Sequence, residues 1–193
     1  GPQGDGLNDL TRQFLLAREQ QGQALTRGDV SAAWNPLILA GTPRFGNPQS
    51  GLLYPPNWLY ALIPAQFLIS WMLVAHHGWA GWGTYLLCRQ YGLRWSASIL
   101  AGLCFLSAPY LLAHTSEGHY PQICVVAWTP FAFLAVERLR GHQRGGVALT
   151  AAVLAMAFFC GHLQELFYLV LLLTAFLTPD FAGWLRRPRD GSS

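Results

Sequence analysis

Lysine is missing from this 193-residue sequence, and all of its positive side-chain charge rests on twelve arginines. Charge of either sign is scarce, at 11% of residues, where a soluble domain carries about a quarter. The arginines are scattered and the net charge is only +3, so no basic tract points to nucleic acid. Cysteine is also sparse. Cys88, Cys104, Cys124 and Cys160 stand alone without CxxC spacing, which argues against a disulfide framework or a zinc site. Also absent are HExxH, GxSxG and a P-loop, and with them the familiar metalloprotease, esterase and ATPase readings. In place of charge there is apolar surface: 52% hydrophobic residues and a mean hydropathy of +0.28. Too few charges remain to face water, so lipid must solvate much of the molecule. The expected fold is an all-α polytopic membrane helix bundle.

The chain begins at Gly1, lacks a signal-peptide pattern and stays polar for about fifty residues before turning apolar. We expect a membrane helix ahead of it and more helices beyond the polar Arg186-Arg187-Pro188-Arg189-Asp190 stretch, making the sequence part of a longer protein. Residues 1–57 form an extramembrane first-loop region, 58–180 the bundle and 181–193 a cytoplasmic tail or loop. In the first region Asn8 can N-cap a helix whose Leu10, Phe14 and Ala17 share a face, with Gly22 and Gly28 bracketing its end. A segment dense in turn residues follows, from Trp34-Asn35-Pro36 to Tyr54-Pro55-Pro56-Asn57. Its aromatic residues Trp34, Phe45, Tyr54 and Trp58 predict an ordered loop packed on the membrane face.

Five apolar spans come next, at about 64–88, 96–113, 121–137, 146–160 and 163–178. The last two are short, and the charges argue for two helices joined at Gly161-His162. With the first loop outside, five crossings place Arg89, Arg94, Arg138, Arg140, Arg144, Arg186, Arg187 and Arg189 inside. The outside turns 114–120 and 161–162 then carry no arginine.

Those outside turns hold the polar residues with chemistry. One reads His114-Thr115-Ser116-Glu117-Gly118-His119-Tyr120-Pro121-Gln122 and the other Gly161-His162-Leu163-Gln164-Glu165. With Asp5, Asp9, Glu19 and Asp29 they gather most acids and histidines on one membrane face, where ionisable groups are retained for a task. Glu165 lies almost within an apolar span. His114 and His119, five apart, are poorly spaced for two ligands on one helix face. His76-His77 reads as hydrogen bonding between helices, Glu137-Arg138 as an interfacial ion pair, and Trp71, Trp79, Trp82 and Trp95 as interface anchors.

The run Trp34-Asn35-Pro36, Gly41-Thr42-Pro43, Asn47-Pro48-Gln49-Ser50-Gly51 and Tyr54-Pro55 resembles the first outer loop of YfhO-like bacterial membrane proteins of the GT-C glycosyltransferase superfamily. The likeness continues weakly through His77, Gly83, Tyr85, Arg89, Gly92, His114, Ala127-Trp128-Thr129-Pro130, Glu137-Arg138 and Gly161-His162-Leu163-Gln164. It implies a multi-pass enzyme of the bacterial inner membrane that takes a sugar from a polyprenyl-phosphate carrier on the outer face. The position matching the superfamily's early carboxylate is Asp9, with Asp5 as its rival. Such a carboxylate can deprotonate an acceptor hydroxyl or hold a divalent cation against the donor phosphate. Asp9, His119 and Glu165 are the expected catalytic residues. Arg44, Asn47, Gln49, Tyr54, His114, Glu117, His162 and Gln164 are expected to bind substrate. Partners would be the bilayer, the lipid-linked sugar and the remaining helices of the chain. The competing class is a non-catalytic lipid or sugar transporter or assembly subunit, which needs a polar path across the bundle.

Overall fold

The computed structural model describes residues 9–28, 34–35 and 41–185. Asp5, Asn8, Asp29, Pro36 and the Arg186–Arg189 stretch lie outside the described residues. A π-helical turn, Leu10–Phe14, leads into α1 (Leu15–Arg27). A two-residue antiparallel pair then joins β1 (Trp34–Asn35) to β2 (Thr42–Pro43), with Trp34 opposite Pro43. Short 3₁₀ turns carry the chain through Pro48–Ser50 and Pro55–Ala61. The rest is helical: α2 (Ala65–Gln90), α3 (Trp95–Leu106), α4 (Pro109–Glu117), α5 (Tyr120–Arg140), α6 (Gly146–Phe159) and α7 (Leu163–Leu185). The described residues are therefore all-α apart from the β1–β2 pair.

Each expected apolar span has a helix at its place, but the second is broken. Ser107 and Ala108 end α3, and Pro109, which has no N–H to donate, starts α4 at its first position. Two helical segments, Trp95–Glu117 and Tyr120–Arg140, are long and apolar enough to cross a membrane, while Gly146–Phe159 and Leu163–Pro179 are apolar but shorter. α5 is the axis of the bundle and is covered along most of its length, from Tyr120 and Ile123 to Ala135 and Val136. α2 packs beside it, where Trp79 stacks on Phe131 with ring centroids 4.4 Å apart. α3 behaves differently. It buries only Ser98 and Gly102 while Trp95, Ile99, Leu100 and Leu103 face outward. An apolar helix left uncovered needs lipid or another protein around it.

In the first region, Gly22 does not end α1. It lies in mid-helix against Tyr60, where a Cβ would come within 2.0 Å of the carbonyl oxygen, and the helix ends at Gly28 in the left-handed conformation. The buried face runs through Phe14, Arg18, Gln21 and Ala24, so two polar side chains occupy a stripe that Leu10, Phe14 and Ala17 were expected to define. Tyr54 is packed in the core, whereas Trp34 and Trp58 are about half exposed; Trp58 donates to the Leu52 carbonyl at 2.9 Å.

The two ends of the bundle differ in chemistry. At one end Tyr91 donates to Glu137 at 3.0 Å, and Glu137 pairs with Arg140 at 2.7 Å rather than with its neighbour Arg138. At the other end α4 turns into α5, α6 turns into α7, and the Asn47–Gly51 loop sits on the second turn. Gly161 there has φ +93°, and a Cβ on it would lie 2.0 Å from the Pro48 carbonyl oxygen. Gly161→Ala should therefore lift the loop off the turn and destabilise the protein by about 1–3 kcal/mol, because both backbone strain and a backbone clash oppose it. Detergent-titration unfolding with hydrogen exchange of residues 47–51 checks this; unchanged stability and exchange would show that the loop is not seated on Gly161.

Candidate functional site

The end of the bundle formed by the α4–α5 and α6–α7 turns gathers polar side chains from the first helical turn, the Asn47–Gly51 loop, α4, α5 and α7. Gly118, at φ +81°, reverses the chain between α4 and α5. That reversal places the His114 ring, near the end of α4, against the His119 ring, with their Nδ1 atoms 2.8 Å apart. The five-residue spacing, poor on a continuous helix, thus becomes a direct contact across a turn. His119 Nε2 faces Asp9 Oδ2 at 3.5 Å. Asp9 stands at the N-cap of the first helical turn, but its side chain makes no capping hydrogen bond there.

On the other side of the pair, Gln122 Nε2 lies 3.3 Å from His114 Nε2, 2.6 Å from the Tyr110 hydroxyl and 2.8 Å from Glu165 Oε1. The Tyr110 hydroxyl donates to the same Glu165 oxygen at 2.7 Å, and its ring meets the His114 ring edge to face. His162 closes the turn before α7, where its Nδ1 accepts the Glu165 backbone N–H at 3.3 Å. That role requires a neutral ring, and burial lowers its pKa, with His119 and His114 adding to the effect and the Glu165 carboxylate opposing it.

These groups wall a cavity of about 370 Å³ lined by Asp9, Gln13, Gln49, His114, His119, Gln122, His162 and Gln164. A second hollow of about 350 Å³ shares Gln49, His162 and Gln164 and adds Asn47. Asn47 also holds the loop, its side-chain oxygen accepting the Gln49 N–H at 3.0 Å, while Gln13 donates to Gln49 Oε1 at 3.2 Å. Gln164 donates to the Tyr168 hydroxyl at 2.8 Å.

Three of the expected substrate-binding residues lie elsewhere. Arg44 is buried and donates to Gln20 at 3.0 Å; desolvation and the nearby Arg18 lower its pKa, and it lines neither hollow. Glu117 is exposed at the end of α4 and also lies outside both linings. Tyr54 is in the core: Trp128 donates to its oxygen at 3.1 Å, and its hydroxyl lies 2.7 Å from His76 Nε2. The opposite ring nitrogen of His76, at 2.6 Å from the Met72 carbonyl, carries the hydrogen, so Tyr54 is the donor to Nε2. Tyr110 was missed in the sequence, because nothing in a tyrosine on an apolar helix signals an acid partner 55 residues away, and Gln122, read as part of the outer turn, and Gln13 were given no role. The cysteines were read as isolated, yet Cys124 and Cys160 meet in the core beside His76.

The donor set as folded does not fit a divalent cation. The Nδ1 atoms of His114 and His119 are directed at each other, and among the described residues no three of His, Cys, Asp and Glu form a ligand group. Comparisons with protein-family models, curated proteins and solved structures gave no match.

His162 makes the site sensitive to acid. Because its folded pKa is depressed, its contribution to stability is present above the ordinary histidine value of about 6.5 and is lost as pH falls through the folded value. Melting curves across this range should show wild type losing more stability on acidification than His162→Gln. Parallel curves would mean that the ring is not held neutral by its surroundings.

Proposed function

We propose that this chain carries the outer-face site of a membrane glycosyltransferase that moves a sugar from a polyprenyl-phosphate carrier to an acceptor hydroxyl. The observation that carries the reading is the convergence of Asp9, His119 and His114 on one cavity at the end of the bundle formed by the α4–α5 and α6–α7 turns, with Glu165 held behind Gln122 beside it. Two carboxylates separated by imidazoles and an amide offer bases for the acceptor hydroxyl. The sequence motif from Trp34 to Tyr54 supports the same reading, since its Asn47–Gly51 segment forms a wall of the cavity. A transporter would need a polar path along the helices. His76 is instead enclosed by Tyr54 and Met72, and His77 is bonded to the Leu73 carbonyl and faces Thr115.

The accompanying topology has five spans, with α3 and α4 acting as one, in the bacterial inner membrane. The Asn47–Gly51 loop and the α4–α5 and α6–α7 turns are outside, and Arg89, Arg94, Arg138, Arg140 and Arg144 are inside. Single cysteines placed at Ser50 and Gln143 should react with a membrane-impermeant thiol reagent from opposite sides. Reaction of both from one side excludes this arrangement.

Transfer itself is tested in the intact protein with a panel of polyprenyl-phosphate sugars. Asp9→Asn, which keeps shape and removes charge, should lower turnover by about 10²–10⁴-fold without loss of folded protein. Glu165→Gln should have a smaller effect. An Asp9→Asn protein with undiminished turnover would remove Asp9 from the chemistry.

A further inference from the structure

Hydrogen positions at the histidine pair follow from the heavy atoms around it. A 2.8 Å contact between two Nδ1 atoms holds one hydrogen, so one ring donates and the other accepts. Suppose His119 were the donor. In the neutral pair its bare Nε2 would then face the Asp9 carboxylate, and the Nε2–H of His114 would point at the Gln122 amide nitrogen, itself a donor. Both outer contacts would be repulsive. The reverse assignment leaves neither outer contact repulsive. His114 donates from Nδ1 to His119 Nδ1, His119 carries its hydrogen on Nε2 toward Asp9, and His114 Nε2 is left with a lone pair. The Gln122 amide cannot be turned round to escape this, since its oxygen would then meet Glu165 Oε1 at 2.8 Å.

On this basis the structure assigns His114 Nε2, rather than Asp9, as the atom that first takes the acceptor's proton, with His119 and Asp9 as the relay behind it. Gln122 has two hydrogens and three acceptor neighbours. Those at 2.6 and 2.8 Å, Tyr110 and Glu165, take them, and His114 Nε2 at 3.3 Å is the least engaged. This lone pair belongs to a ring that lines the cavity.

The step, which rests on the glycosyl-transfer reading above, balances as three proton shifts. The acceptor O–H bond breaks and its proton bonds to His114 Nε2. The Nδ1–H of His114 passes to His119 Nδ1, and the Nε2–H of His119 passes to Asp9 Oδ2, which closes from 3.5 Å to do so. The acceptor oxygen bonds to the anomeric carbon as the carbon–phosphate oxygen bond breaks, and that electron pair leaves with the carrier phosphate. Both rings end neutral with their tautomers exchanged, and Asp9 ends protonated. The titratable groups around the array are Glu165, His162 and Tyr110, and none of them lies between the two rings.

The test has two arms. In the intact protein with ¹⁵N-labelled histidine, NMR near pH 8 should show hydrogen on Nδ1 of His114 and on Nε2 of His119. The opposite pattern overturns the assignment, whatever the transfer assay shows. In the assay, His114→Gln should lower turnover as much as Asp9→Asn, about 10²–10⁴-fold, and the Asp9→Asn, His114→Gln double variant should lose little more than either alone, because the two act in one relay. Losses that multiply would separate the two residues and overturn the relay. Predicted tautomers in a protein that transfers no sugar from any carrier would instead defeat the glycosyltransferase reading and leave the tautomer assignment standing.

Discussion

The interaction on which the site depends is a buried arginine with carbonyls for partners. Arg18 is 1% exposed. Its guanidinium donates to the Ser50 carbonyl, to the Gln49 carbonyl at 3.3 Å and to Gln21 Oε1 at 2.9 Å, and it lies over the Tyr120 ring at 5.4 Å. An unpaired charge taken out of water costs several kcal/mol, so the backbone oxygens and the ring face must offset most of it. The arrangement is possible only if α1, the Asn47–Gly51 loop and the first turn of α5 keep their present spacing. A side chain on Gly51 would strike the guanidinium and Asn57. Asn57 in turn donates to the Gly51 carbonyl and accepts from the Tyr120 hydroxyl, each at 2.9 Å, which ties the loop to the first turn of α5 a second time through the Pro55–Ala61 turn. Gln49 in the cavity wall and Asp9 beside it therefore owe their positions to a residue that lines neither hollow.

Much of the helical framework could be read from apolar runs, because an 18-residue apolar stretch leaves the backbone few ways to satisfy its hydrogen bonds except as helix. The turns at Gly118 and Gly161 were also legible as breaks. Their consequences were not. A glycine at positive φ sends the chain back on itself, and which side chains then touch depends on the packing of α4, α5 and α7. The His114–His119 contact is the clearest instance, since helical spacing argued against it. Arg18 was hidden for a related reason. A sequence stripe is defined by apolar residues, and a buried arginine held by main-chain oxygens leaves no mark in that pattern. Arg44 shows the reverse error: a cation in a motif loop invites a phosphate, yet its side chain is turned to Gln20.

The same backbone logic explains why the two carboxylates can share one end of the bundle. Asp9 and Glu165 are kept apart by two imidazoles and one amide, each touching the next. Every link is directional, so the order of groups fixes where hydrogens sit, and the chain needs no fully buried charge to be satisfied. Glu165 is anchored by two donors, Tyr110 and Gln122, on a single oxygen, whereas Asp9 has a longer contact to His119 and its side chain is about half exposed. The anchored acid is suited to holding the Gln122 amide in one orientation. The loosely held acid keeps room to move toward or away from His119. Two residues of the same chemistry thus differ in setting because of the partners that the α4–α5 and α6–α7 turns bring to each.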